Sequence, residues 1–120
     1  MKRFFRLTTS EYQKGDILEG RTLVDNWVIT HKVNNQLQGL TGLFCCKEVK
    51  DTYDWITVLR KPFFCVIEFP DNAVVHNIDV CTTGLHQCFV ESNAVVVTSV
   101  DLNEWTDAQL LDLADWDLDD

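Results

Sequence analysis

Four potential metal ligands fall within one short stretch of this chain. HNIDVCTTGLHQC supplies His76, Cys81, His86 and Cys88, and imidazole and thiolate are donors that suit zinc. The spacing is not that of a tight zinc knuckle, because no C-x-x-C occurs anywhere. Two of the four fall in strand-like runs whose alternation turns them toward a core, so no metal is assigned. A second group with chemistry is Cys45 and Cys46, which precede a segment of helical spacing. A thiol at a helix N-terminus gains acidity and becomes a nucleophile; a thiol at a buried strand end stays inert, and Cys is commonly buried. Phosphate-binding loops, dinucleotide fingerprints, nucleophile elbows and H-E-x-x-H metal motifs are all missing from the sequence.

Charge offers a different kind of chemistry. The net charge is -9, from 19 acids and ten bases. All ten Lys and Arg lie at or before Lys61, where seven acids leave a net +3. The 59 residues beyond hold twelve acids and no base, and eight of those acids fall in the last 20 positions. A uniformly negative half repels a phosphate backbone, so direct nucleic-acid binding is disfavoured, while a basic protein surface is attracted. Within the acidic end, Asp112, Asp115 and Asp117 flank Trp116 and Leu118. Large apolar side chains among charges can anchor a complex that the charges steer. A solvated tail that keeps the protein soluble is the plainer use of the same residues.

These groups need elements to position them. At 120 residues and 46% hydrophobic content, the chain is read as a single packed domain, 1–120. No apolar run reaches membrane-helix length, and the basic start lacks a signal-peptide core. The odd set of five cysteines points to a reducing compartment, so the location is read as cytoplasmic. FFRLT (4–8) is predicted to be a first strand, with Thr8 and Glu11 spaced as a capping box for a short helical turn. DILE is a loop or brief extended piece between Gly15 and Gly20. RTLVDNWVIT (21–30) is β-rich, and 31–38 is polar loop or edge. LFCC (43–46) is a short strand. Val49, Tyr53, Ile56 and Leu59 then form a stripe that predicts an amphipathic helix over 47–59, closed by Pro62.

FFCVIEF (63–69) is too continuously apolar for an exposed strand and reads as the central buried one. AVVHNI (73–78), LHQCFV (85–90) and AVVVTSV (94–100) add further strands. At the end, Thr106 is a good N-cap, Gln109 completes a capping box, and Trp105 with Leu110 forms a hydrophobic staple. A C-terminal helix over 106–116 is predicted, within an acidic helix and tail spanning 101–120. The fold class is therefore read as α+β: a central, mostly antiparallel sheet with a mid-chain helix and a C-terminal helix.

Taken in order, FFRLT, GLFCCKEVKDTYDW, PFFCVIEFPDNAVV and ESNAVVVTSVDL resemble small ADP-ribosyltransferase-fold proteins, which include phage-encoded inhibitors of bacterial defence. The resemblance implies NAD as cofactor, with Arg6 and Thr8 on the first strand and Tyr53 after the second strand holding the dinucleotide. It implies Glu91 as the catalytic carboxylate that steadies an oxocarbenium-like ribose. The chain departs from the pattern at Ala94, where such families often carry that Glu. Two readings follow. In the first, a small acidic cytoplasmic protein, an inhibitor if viral, needs no cofactor and binds a partner with a basic surface through Asp112, Asp115, Trp116, Asp117 and Leu118. In the second, an NAD-dependent ADP-ribosyltransferase modifies a protein target.

Overall fold

The computed structural model describes residues 1–23, 37, 39–52, 56, 60–80 and 85–104, with the backbone alone at 78–80, 85 and 86. Eight strands occur among them: β1 (Lys2–Thr8), β2 (Ile17–Leu18), β3 (Arg21–Thr22), β4 (Thr41–Cys45), β5 (Phe63–Phe69), β6 (Val75–Val80), β7 (Leu85–Val90) and β8 (Ala94–Asp101). They form two antiparallel sheets, ordered β1-β5-β8-β2 and β3-β4-β7-β6. The α+β expectation is thereby corrected: the described residues are mostly β, built as two layers. The described helical residues are Leu37, 49–52, Ile56 and one 3-10 turn, Leu102–Glu104. In place of a helical turn after Thr8, residues 9–16 form bends and turns. The predicted helix over 106–116 lies outside the described residues.

The continuous apolar run of β5 has a direct structural cause. This strand lies between β1 and β8, and both of its faces are covered. Cys65, Ile67 and Phe69 face inward, where they join Phe4, Leu18, Leu43, Cys45, Cys88, Val90, Ala94 and Val96 between the sheets. Phe64 and Val66 face outward, where Phe5, Leu7 and Val49 pack with them under Ile56, Val97, Val100 and Leu102. A third cluster, Leu23, Leu37 and Phe89 with Leu40 and Phe44, covers the far face of the second sheet. Strands buried on both faces cannot alternate polar with apolar residues. Val49 and Ile56 therefore share one apolar stripe, as their spacing predicted, and it packs on the first sheet.

Two devices join the layers. Between β2 and β3 the chain leaves the first sheet for the second at Gly20. A Cβ on Gly20 would come within 2.9 Å of the Gly42 Cα, so only glycine permits this crossing. Phe5 and Cys46 exchange backbone hydrogen bonds at 2.9 and 2.7 Å, which ties the end of β4 to the open side of β1. Within the first sheet, Val66 pairs with Thr98 but Ile67 pairs with Val96, so Val97 is a bulge. The extra residue reverses the alternation of β8. Ala94 and Val96 face the inter-sheet core before it, and Ser99 stands opposite inward-facing Cys65 after it. No helix among the described residues is long and apolar enough to cross a membrane.

Candidate functional site

The space between the sheets is apolar at one end and polar at the other. On the inner face of β1, Phe4, Arg6 and Thr8 succeed one another opposite Ile67, Cys65 and Phe63. Phe4 meets Phe69 edge to face, with ring centroids 5.4 Å apart. Two residues on, the same face carries a guanidinium. Arg6 is half-buried, and its Nη1 donates to the carbonyl of Phe44 in β4. Beyond it, the Thr8 hydroxyl donates to the Ser10 carbonyl at 2.8 Å and lies 3.4 Å from Cys65 Sγ. The Cys65 thiol in turn reaches Ser99 Oγ at 3.5 Å. Tyr12 packs against the adjoining core.

Two further bases lie close to Arg6. Arg21 stands opposite Gly42, two residues before the Phe44 carbonyl that Arg6 holds. Lys61 precedes Phe63, the partner of Thr8, and the neighbouring Pro62 carbonyl accepts from Leu102 N–H at 2.7 Å. Burial lowers the Arg6 pKa, with Cys45 opposing and the charge of Arg21 adding to the effect. Burial also lowers the pKa of Lys61, and the charges of Arg6 and Arg21 push it the same way. Among the described residues the ion pairs join Met1 to Asp71, Arg3 to Glu68 and His76 to Glu91. None of them takes up Arg6, Arg21 or Lys61. A guanidinium has five N–H donors, and among the described residues Arg6 makes one hydrogen bond, to the Phe44 carbonyl; the donors not used there suit a planar or tetrahedral oxyanion.

The sequence-derived residues separate on this frame. Arg6 and Thr8 come together on the inner face. Glu91 does not join them: it follows β7 on the face that carries Phe89, and its Oε2 lies 2.8 Å from His76 Nε2. His76 is opposite Phe89 in the ladder, and Phe89 belongs to the cluster on the far side of the second sheet. Ala94 is 1% exposed in the inter-sheet core, so a carboxylate there would be buried among apolar side chains. Tyr53 and the acidic group Asp112, Asp115, Trp116, Asp117 and Leu118 lie outside the described residues, as does Cys81. His76 and Cys88 sit on opposite faces of one sheet, since Cys88 faces inward and its thiol donates to Asn77 Oδ1 at 3.5 Å. Arg21 and Lys61 were missed by sequence reasoning. The signal for them is positional: each base directly follows or precedes a chain-turning residue, Gly20 or Pro62.

Cys45, Cys46, Cys65 and Cys88 are buried thiols, none of them in a disulfide. Burial pushes the Cys45 thiol far above its ordinary range, and the neighbouring Cys88 and Cys46 add to this while Arg6 opposes it. Burial likewise raises Cys88. Protonated, enclosed thiols are poor nucleophiles. Maleimide labelling at about pH 7.5, read site by site by mass spectrometry, is expected to spare these four in the native state and modify them in denaturant. The sign with pH follows from the same shifts. The unfolded chain loses the Cys45 and Cys88 protons at about pH 8.5, whereas the native state keeps them. Their contribution to stability is therefore intact below that range and declines as pH rises above it toward the raised native values. A lower denaturation midpoint at about pH 9.5 than at about pH 7, reduced by Cys45→Ala, is the expected result. Rapid native labelling of Cys45 would contradict it.

Set against known proteins, the chain matches no family model, no curated protein and no solved structure.

Proposed function

We propose that this chain is a binding protein whose inter-sheet cleft takes a small phosphate-bearing ligand between Arg6 and Lys61. One observation carries the reading: acids outnumber bases 19 to ten, yet the half-buried Arg6 meets a backbone carbonyl and no carboxylate among the described residues. Withdrawing a cation from water is costly unless an anion and hydrogen bonds compensate it. A phosphate or pyrophosphate supplies both. The hydroxyls of Thr8 and Ser99 lie on the same face for a neutral part of the ligand. The overall charge of -9 repels a long polyanion but leaves a small one free to enter.

ADP-ribosyl transfer is the weaker reading of the same cleft. It requires a carboxylate beside the ribose, and Glu91 is engaged by His76 on another face. A second reading stands on its own observation. The charge segregation, with no base after Lys61, favours a protein partner with a basic surface, with Asp112, Asp115, Trp116, Asp117 and Leu118 as its anchors.

Calorimetric titration with inorganic pyrophosphate, ADP and NAD tests the cleft. Binding of at least one is expected, weakened about ten-fold or more by Arg6→Ala and a few-fold by Lys61→Ala. Glu91→Gln is expected to leave it unchanged. Flat titrations with all three ligands would end the proposal. Loss of binding in Glu91→Gln with Arg6→Ala unaffected would relocate the site.

A further inference from the structure

The edges of the two sheets are not treated alike. In the first sheet, β2 exposes an edge of two residues, and the outer side of β1 is met by Cys46. In the second, β3 is again only two residues long. Very short edge strands and covered edges are the usual protection against unwanted strand pairing. β6 has neither. All six of its residues, Val75–Val80, pair with β7, and among the described residues no strand pairs on its other side. Its sequence, VHNIDV, contains no Lys or Arg, no Pro and no Gly, and Asp79 is its one acid, so most of the other common guards are missing too. Val74, which leads into it, is an exposed large apolar residue.

We infer that the open edge of β6 is a docking edge for an extended, lysine- or arginine-bearing segment of a protein partner, which adds to the second sheet as a fifth, antiparallel or parallel strand. The inference rests on the reading that the partner is basic, and it names where that partner would sit. Main-chain N–H and C=O groups supply the affinity in such an arrangement, while charge and side-chain pockets supply the choice of partner. Charge decides the occupant. The edge belongs to the half of the chain that holds twelve acids and no base, and Asp79 lies within the strand itself. A second copy pairing through its own β6 would bring the same Asp79 and no Lys or Arg in that strand, and like charges placed together oppose pairing. A basic strand brings the complement.

The test uses the full chain and three fluorescent heptapeptides of alternating pattern: a lysine–valine peptide, the same peptide N-methylated at every second amide, and a glutamate–valine peptide. Anisotropy gives affinity, and hydrogen exchange reports the amides of 75–80. The expected result is binding of the first peptide with slowed exchange along β6. Binding should be at least about ten-fold weaker for the methylated form, which keeps the charge but loses the ladder, and weakest for the glutamate form. Equal binding of both lysine peptides without protection of β6 would overturn the edge but leave the basic-partner reading standing. No binding of either lysine peptide would remove both. Equal binding of the glutamate peptide, or protection of β6 by self-association without peptide, would overturn the occupant.

Discussion

Gly42→Ala is expected to cost about 3 kcal/mol or more, a large share of the roughly 5–15 kcal/mol that holds a domain of this size together. Gly42 lies in β4 with β3 on one side and β7 on the other. A Cβ there would collide with the carbonyl of Val90, 2.8 Å from its carbon, and stand 2.9 Å from the tip of the Phe89 ring. The ring can turn aside, but the carbonyl is part of a strand and cannot yield without shifting the ladder. Gly20 presses on the same spot from the other side, so the second sheet and the crossing into it are both affected. Gly39→Ala is the control. Gly39 has a positive φ of 82° with nothing near its missing Cβ, and the left-handed backbone alone should cost about 1–2 kcal/mol. Urea denaturation of both variants decides the matter. A Gly42→Ala protein as stable as the Gly39→Ala protein would mean that β4 and β7 are not packed this closely.

The next largest effect is expected at Phe64. Its side chain is fully buried on the outer face of the first sheet, stacked on Phe5 with ring centroids 5.8 Å apart and planes at 16°. Leu7, Val49 and Val66 complete its surroundings. Phe64→Ala removes a ring from a closed apolar space and is expected to destabilise by about 3–5 kcal/mol. The result also tests the architecture. If the outer face of this sheet were open to water, the loss would be under about 1 kcal/mol, because little buried area would disappear. A cost in the upper range requires that the segment bearing Val49 and Ile56 seals that face.

Much of the strand content could be read from the chain. FFCVIEF is apolar at nearly every position because β5 is covered on both sides, and LHQCFV and AVVVTSV became β7 and β8. Val49 and Ile56 do share one apolar cluster, but the α+β reading with its mid-chain helix over 47–59 gave helices too much weight. What resisted reading has physical causes. β2 and β3 are two residues each, too short to show a period. The sheet switch at Gly20 depends on a backbone contact with a residue 22 positions later, which no local pattern encodes. The bulge at Val97 re-phases β8, so simple alternation from Ala94 would have turned Ser99 away from Cys65. The cleft was half legible: Arg6 and Thr8 share a face through their spacing alone. Lys61 comes near them only through the pairing of β1 with β5, Arg21 stands opposite Gly42 in the other sheet, and Glu91 leaves them because of the face its strand presents.

The pairing of β1 with β5 also sets a schedule for the ribosome. Lys2 meets Phe69 and Thr8 meets Phe63, so the ladder partner of the first strand is made only after more than 50 further residues. At roughly 5–20 residues per second, that wait is several seconds. Meanwhile Phe4, Phe5 and Leu7 emerge without the strand that will cover them, and contacts so distant in sequence form slowly in any case. Within these 120 residues the net-positive stretch up to Lys61 is also made before most of the acids. β1 is held open until β5, in the middle of this sequence, arrives to close it.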